Sequence, residues 1–325
     1  MWVIFRLPNY CPLNIIDKKL MYIYLGRLIM IKKELLTDRL ILNELEANDH
    51  AFILELVNSA GWLEFIGDRN VRTTEDAKAY IAKIVANPLI NYWIVKLKAN
   101  DLPIGIITLI KRDDMQHYDI GFAFLPGHTG AGYAFEATTA ILNMLPDSIL
   151  ADKILAITTE RNSRSIKLLE KLKFKYERQM DTTGKTMLRY ALNADEIKIG
   201  KITRSFFKLF DNTLNEPDLE QVYQLCMASA SIIRSSAAHA DVYGLESFIE
   251  PRKKILTDGT LQHFREFETD EETRIIGNIA QRYSKYHKQG LLNGVYFEGR
   301  GHKFFHFVKE SGEWKIAQVI WEDEA

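Results

Sequence analysis

The sequence predicts two consecutive α+β domains. Three observations predict this class. From about residue 32 to 193, apolar alternation at strand spacing gives way to helical spacing and returns, which describes a sheet with helices on both faces. Beyond about residue 203, helical segments come first and long strands follow. The chain has 325 residues, 47% of them hydrophobic, enough for two ordinary cores.

Residues 1–29 are apolar and aromatic but interrupted by Pro8, Pro12, Asp17, Lys18 and Lys19. No unbroken run approaches the roughly 20 residues of a membrane span, and no signal-peptide core with a cleavage site is evident. They are expected to be a dispensable extension ahead of Met30, or else a short element packed on a domain. A formal net charge of -1 argues against global attraction to nucleic acid or an acidic membrane. Cys11 and Cys226 stand far apart, with no metal-type spacing and no disulfide framework, so a reducing, cytoplasmic setting is expected.

In order, Thr37–Glu46 alternates as a strand. Asn48 or Asp49 caps a helix facing inward with Phe52, Ile53, Leu56 and Val57. Thr73 and Asp76 form a capping box before a helix with Ala77, Tyr80, Ile81 and Ile84 inside, closed by Pro88. Strands follow at Tyr92–Leu97, Ile104–Ile110 and Tyr118–Leu125. A helix with Ala134, Ala137, Ile141 and Met144 on one stripe comes next, then a strand near Ile154–Thr159. A helix from Asn162 to Leu172 and strands Lys175–Met180 and Thr186–Leu192 complete the domain.

The stretch Leu125–Ala137 joins the third strand to its helix and carries Gly127, Gly130 and Gly132. Glycine turns sharply and lets backbone approach a ligand. The unpaired N–H groups and dipole of the following helix suit a phosphate or pyrophosphate. Spacing alone leaves a plain glycine-rich connection equally open. On the strand before it, Asp119, Gly121 and Ala123 share a nearly bare face, opposite Tyr118, Ile120, Phe122 and Phe124. A ligand or a close-packed neighbour could lie there.

Three linked motifs carry a resemblance. Ile120-Gly121-Phe122, then Gly130-Ala131-Gly132-Tyr133-Ala134-x-Glu136-Ala137, then Asn162-x-x-Ser165 before Leu169-Glu170-Lys171-Leu172-x-Phe174, resemble the GCN5-related N-acetyltransferases (GNAT), most of all their Rim-type ribosomal-protein branch. The match covers about residues 32–193. It implies a GNAT mixed sheet with helices on both faces and acetyl-coenzyme A (acetyl-CoA) as donor. The pyrophosphate would sit on Gly127, His128, Thr129, Gly130, Ala131, Gly132 and Tyr133, with Asn162 as a further contact. The pantetheine arm would run along the bare face and pair with backbone at Phe122, Ala123 and Phe124. Two positions depart from the family. Gly127 stands where Gln or Arg is usual, and Lys173 where glycine ends the helix; a left-handed Lys173 costs about 1 kcal/mol.

The chemistry needs a neutral amine, a polarised thioester and a proton for the leaving thiolate. An α-amine near pKa 8 costs only about 1 kcal/mol to deprotonate at neutral pH, a lysine-like amine about 4–5. Asp119 is the candidate base, directly or through water, and Glu160 a weaker one. Its counterpart reading is a surface or turn carboxylate. Ser165 matches the family's serine near the sulfur and is the candidate acid; it could equally satisfy local backbone in the helix's first turn. Glu136 is expected to support its helix N-terminus, and His128 to be exposed. The acceptor is a primary amine, on a protein N-terminus or a small molecule. A non-catalytic coenzyme A sensor is the alternative.

After a linker at 194–202, helices are expected from Thr203, at Glu216–Leu225 behind Pro217 and at Leu245–Leu256. Strands follow at Leu261–Glu268, Arg274–Lys288, Gly294–Lys309 and Trp314–Trp321. Phe248-Ile249-Glu250-Pro251-Arg252, Ile279–Ser284 and Trp314–Trp321 resemble the cone-shaped fold of nuclear transport factor two and ketosteroid isomerase, with a curved antiparallel sheet. That fold hosts enzymes, ligand binders and dimerisation modules, which implies an accessory or ligand-binding role, a homodimer contact, or a separate activity in the cone. His263, Tyr283, Tyr286, His287, His302 and His306 could line a pocket but form no catalytic set.

Overall fold

The computed structural model describes residues 34–182 and 185–324. The expectation for residues 1–29 falls outside them. The chain divides into two compact units, residues 1–193 and 194–325. Among the described residues no helix is long and apolar enough to cross a membrane.

The first unit is an eight-stranded sheet in the order β1-β2-β3-β4-β5-β6-β8-β7. The strands are β1 Glu34–Leu36, β2 Leu40–Glu44, β3 Ile90–Leu97, β4 Pro103–Ile110, β5 Asp119–Phe124, β6 Lys153–Thr159, β7 Lys175–Thr182 and β8 Lys185–Asn193. All neighbours are antiparallel except β5 and β6. The helices are α1 His50–Val57, α2 Ala60–Phe65, α3 Thr74–Val85, α4 Tyr133–Met144, the short α5 Asp147–Leu150, and α6 Ser163–Lys171.

β4 runs at the centre and is buried on both faces, so its sequence is continuously apolar rather than alternating. Ile106 packs with Phe52, Leu56, Trp62, Ala77 and Ile81 of α1, α2 and α3. Ile107 and Leu109 point the other way, toward the side on which α4 packs. Helices therefore cover both faces. The Thr73–Asp76 capping box forms as expected and satisfies the first turn of α3; such a cap is worth about 1 kcal/mol.

One expectation here is corrected. Thr37–Glu46 is not one strand: Thr37 N–H donates to the Leu40 carbonyl at 2.9 Å, and its hydroxyl accepts from Leu40 N–H at 3.0 Å. A threonine that bonds its own neighbourhood competes with the strand ladder, and the result is a turn between β1 and β2.

The second unit is a six-stranded sheet in the order β10-β9-β14-β13-β12-β11, with α7 Ala194–Lys208, the short α8 Val222–Leu225 and α9 Leu245–Thr257. Its strands are β9 Cys226–Ser235, β10 Ala240–Tyr243, β11 Leu261–Ile276, β12 Ile279–Leu292, β13 Val295–Glu310 and β14 Glu313–Asp323. β14 and β9 pair in parallel and the other neighbours are antiparallel. Register shifts in β11 and β14 mark bulges, which bend and twist strands. Phe206 and Phe207 of α7, Phe210 just beyond it and Phe248 of α9 pack against Tyr286, Phe305 and Phe307 on one face of this sheet.

Four expectations for this unit are corrected. The linker at 194–202 is helix α7, because Ile197 and Ile199 are buried in the run that looked polar. Arg274–Lys288 is two strands turning at Gly277, φ +58°. β11 runs through Asp270–Glu272, since Arg282 on β12 binds Glu268 at 2.9 Å and Glu271 at 2.8 Å. The helix expected at Glu216–Leu225 shrinks to its last turns, and β9 and β10 were not foreseen.

Candidate active site

β5 and β6 are partners at one position only. Asp119 lies opposite Leu155, and Leu155 N–H donates to the Tyr118 carbonyl at 2.9 Å. Beyond that point β5 stays paired with β4 through Phe124, and β6 with β8 through Thr159. The two strands splay into a split with an open edge on each side. Leu125 N–H points at β4, where it meets the Ile104 carbonyl at 2.9 Å. Backbone groups alternate sides along a strand. So the N–H and C=O of Phe122 and Phe124 point into the open split, those of Ala123 do not, and the Ile120 N–H is taken up by the Asp119–Leu155 bridge.

The bare face is less open than the sequence suggests. A Cβ on Gly121 would meet the Thr108 hydroxyl oxygen at 2.7 Å, and Ala123 packs against the core beneath α1 and α3. The free surface of β5 is its edge, not its face.

At the open end β5 runs into the glycine stretch. Gly130 and Gly132 take φ of +84° and +83°, a region that side chains rarely adopt. Gly132 is the N-cap of α4 and supplies no side-chain cap. Gly127, Thr129, Gly130, Ala131 and Gly132 are exposed, while His128 is half-buried rather than exposed as expected. Gly127 has no positive φ, and a Cβ there meets open space, so glycine is not required at this position.

Arg39 and Thr37, in the turn before β2, fix the stretch from outside. Arg39 Nε binds Glu136 at 2.7 Å, its Nη1 donates to the Ala131 carbonyl at 3.0 Å, and its guanidinium lies 4.6 Å from the Tyr133 ring centre. Thr37 hydroxyl and Arg39 N–H both donate to Glu136, at 2.6 and 2.9 Å. Burial works against the Glu136 charge, but these bonds outweigh it and hold its carboxyl below the ordinary range. Glu136 thus anchors the helix N-terminus, as expected. Nothing in the local sequence signals Arg39, which lies 97 positions away.

β6 leads into α6. Asn162 Oδ1 accepts from Ser165 N–H at 3.1 Å and caps the helix. Ser165 is half-buried, and its hydroxyl bonds to no described residue. Lys173 takes φ +68° where a glycine is usual, so the left-handed helix end persists without glycine.

Asp119 stands at the closed end of the split and is 5% exposed. Arg112 reaches one oxygen, Oδ2, with Nε at 3.1 Å and Nη2 at 2.9 Å. Oδ1 is buried and accepts from no described residue. Burial pushes the carboxyl above its ordinary range, and Arg112 only partly opposes this. A buried carboxylate with a raised proton affinity and a free oxygen can accept a proton. Arg112 was missed, although the β4–β5 hairpin places it close to Asp119. Glu160 is exposed in the turn after β6. Asp119 and Ser165 are thus introduced at opposite ends of the split.

The sequence model of the acetyltransferase (GNAT) domain matches residues 39–175. This part of the chain is a GNAT acetyltransferase domain. The uncharacterized N-acetyltransferase YnaD of Bacillus subtilis (strain 168) is 29% identical over 141 residues, which are 43% of this chain and 82% of that protein. Among solved structures, a GNAT-family acetyltransferase from Bacillus anthracis is 22% identical, covering 50% of this chain and 99% of its own, with a TM-score of 0.43. Ribosomal-protein-S5-alanine acetyltransferase from Vibrio fischeri is 17% identical, covering 51% and 98%, with a TM-score of 0.45. Spermidine N-acetyltransferase from Vibrio cholerae, solved with CoA and spermine, is 18% identical, covering 50% and 99%, with a TM-score of 0.43.

In the second unit the candidate residues do not all converge, although the Tyr283 hydroxyl and His302 Nδ1 lie 2.7 Å apart and their rings stack. Tyr286 is buried on the helix-covered face. His287 and His302 line an open groove of about 620 Å³ with Phe267, Lys285, Arg300 and Glu324. His306 bonds Gln281 at 3.2 Å and Gln318 at 3.0 Å, and His263 is exposed at φ +50°.

Proposed function

We propose that the first unit is an acetyl-CoA-dependent N-acetyltransferase acting on a primary amine, on a protein N-terminus or a small molecule. The observation that carries this reading is the open edge of β5 running directly into an exposed glycine stretch and a helix N-terminus. Phe122 and Phe124 offer backbone donors and acceptors to the amide-bearing pantetheine arm. Gly127–Tyr133 offers N–H groups to the pyrophosphate, and Asn162 Nδ2 can add a contact. A Rim-type acceptor fits this layout, and so does a polyamine.

Ser165 donates its proton to the departing thiolate, which its unbonded hydroxyl permits. Asp119 takes the amine proton through water, since it sits at the far end of the split and has a free oxygen. The amine nitrogen attacks the thioester carbonyl, the carbon–sulfur bond breaks, and the thiol leaves. Arg112 holds Asp119 in place and supplies no proton itself.

The second unit is read as an accessory domain of the nuclear transport factor two-like kind, suited to ligand binding or to a homodimer contact. A bent, mostly antiparallel sheet with α7 and α9 packed on one face supports this. The side chains under its helices are mostly apolar, and its Lys303 is paired with Glu266, which speaks against an acid–base centre there as the main activity.

Thiol release with a panel of amines tests the reading. General acid catalysis is typically worth 10²–10⁴-fold, and a thiol near pKa 8.5 leaves readily. Ser165→Ala is expected to lower kcat about a hundredfold with acetyl-CoA binding nearly unchanged. Asp119→Asn is expected to depress the rate while Asp119 is ionised and the amine is still protonated, and the two proteins should converge in acid as the raised carboxyl takes up its own proton. Acetyl-CoA binding with no thiol release from any amine would favour a coenzyme A sensor instead.

A further inference from the structure

In the second unit the half-buried Arg252 has no counter-ion among the described residues. Arg252 follows Pro251 on α9. Its guanidinium lies 3.6 Å from the Phe248 ring centre, with the rings of Tyr243 and Trp321 at 5.6 and 5.8 Å. Its Nη1 donates to the Phe248 carbonyl at 2.8 Å. Among the described residues no carboxylate pairs with it. Burial pushes the guanidinium down to about 10, so it is still charged at neutral pH. A cation taken out of water without a partner is unfavourable. Ring faces offset part of that, but they leave the remaining N–H groups unmatched.

The charges around it are offset by one another. Lys303 pairs with Glu266 and lies over the Tyr286 ring at 4.3 Å. Lys288 pairs with Asp323, which also receives the Tyr286 hydroxyl at 2.6 Å and Arg234 at 3.9 Å. Arg252 in turn senses the charges of Arg234 and Glu266. Four cations (Arg234, Arg252, Lys288, Lys303) less three carboxylates (Glu266, Asp323, and Asp241 opposite Arg234) leave one positive charge uncompensated. β13 is stripped to glycine here: a Cβ on Gly301 would come within 2.4 Å of the Tyr286 hydroxyl, and one on Gly299 within 3.1 Å of Lys288. The arrangement is built, not incidental to one long side chain.

We propose that this end of the helix-covered face binds a small monocarboxylate with an apolar body, an aryl or short acyl acid. Arg252 receives the carboxylate, and the rings of Tyr243, Phe248 and Trp321 receive the body. The planar guanidinium fork matches a carboxylate in bidentate fashion. A neutral ligand leaves the cation unpaired. A phosphate dianion meets Glu266 and Asp323 and has more hydration to lose. The inference does not rest on the transferase reading of the first unit.

Calorimetry and thermal melting on the full chain test it, with benzoate, phenylacetate and hexanoate as probes. Benzamide serves as the neutral isostere and phenyl phosphate as the dianion. At least one acid is expected to bind and raise Tm, with the amide and the phosphate at least tenfold weaker. Arg252→Gln is expected to weaken the best acid at least tenfold while acetyl-CoA binding stays unchanged. Arg252→Lys, which keeps charge and loses the fork, is expected to fall between the two. If Arg252→Gln does not fold, the acid–amide comparison on the natural protein and Arg252→Lys decide alone. The proposal is overturned if no acid binds, if benzamide matches benzoate, if phenyl phosphate binds tighter, or if a folded Arg252→Gln binds the acid equally well. Loss of acetyl-CoA binding in the natural protein would count against the transferase reading only.

Discussion

Gly132→Glu tests the placement of the pyrophosphate most directly. Gly132 caps α4 at φ +83°, so any side chain there adds strain of about 1–2 kcal/mol, felt in stability. The new Cβ would lie 3.4 Å from Arg39 Nη2, an ordinary contact, so the space exists. The effect on binding is separate and comes from charge. With the carboxylate roughly 5 Å from two phosphate charges in an exposed turn, Coulomb's law at the dielectric constant of water gives about 0.8 kcal/mol for each, about 1.7 in all. That is about a fifteenfold loss of acetyl-CoA affinity. Competition for Arg39, which now holds Glu136, adds loss of the same sign. Gly132→Gln is the control, since it shares the strain and bulk and lacks the charge. Calorimetry should find the glutamate variant about tenfold weaker than the glutamine variant at low salt, and the gap should narrow as salt screens the turn. Equal affinities for the two variants would refute a phosphate at this helix N-terminus.

The remaining expectations follow from individual contacts. Glu136→Gln removes a carboxylate that accepts from Thr37 and Arg39, and should cost about 1–3 kcal/mol at pH 7. Because the folded carboxyl lies below its ordinary 4.5, its contribution is present above that value and is lost as pH falls below it. Urea melts of the two proteins should therefore converge in acid. Gly127→Arg restores the side chain common in the family at a position where a Cβ meets open space. An exposed phosphate contact worth about 0.3–1 kcal/mol should tighten acetyl-CoA binding about two- to fivefold by calorimetry.

Much of the first unit was legible because its elements are fixed by local pattern. The capping box at Thr73, the inward faces of α1 and α3, and the turn after Phe124 each depend on residues a few positions apart. What sequence could not show depends on distant pairing. Arg39 matters because a turn before β2 meets α4, and the occupied space over Gly121 follows from its register opposite Thr108. In the second unit the errors have one cause. Asp270–Glu272 looked like a break between strands, but Arg282 compensates the charges and the strand continues. Ala194–Lys201 looked like a linker because its charged residues outnumber the apolar ones that pack.

The split between β5 and β6 predicts a hydrogen-exchange pattern that no other placement of the cofactor shares. Unpaired backbone groups buried away from water are costly. Yet Phe122, Ala123 and Phe124 are only half-buried, so water can satisfy the open edge until a ligand replaces it. Along β5 the amides alternate. That of Ala123 faces β4 and is engaged in the ladder, while those of Phe122 and Phe124 face the split. Acetyl-CoA whose pantetheine amides pair along this edge should slow exchange at Phe122, Phe124 or both, at least tenfold if the new bond is worth about 1.4 kcal/mol or more. It should leave Ala123 nearly unchanged. A ligand lying on the face of the strand would instead shield the three alike, without alternation. Exchange measured by nuclear magnetic resonance with and without acetyl-CoA separates the two cases. Uniform protection across Phe122–Phe124 would move the pantetheine off the edge, and with it the thioester away from Ser165.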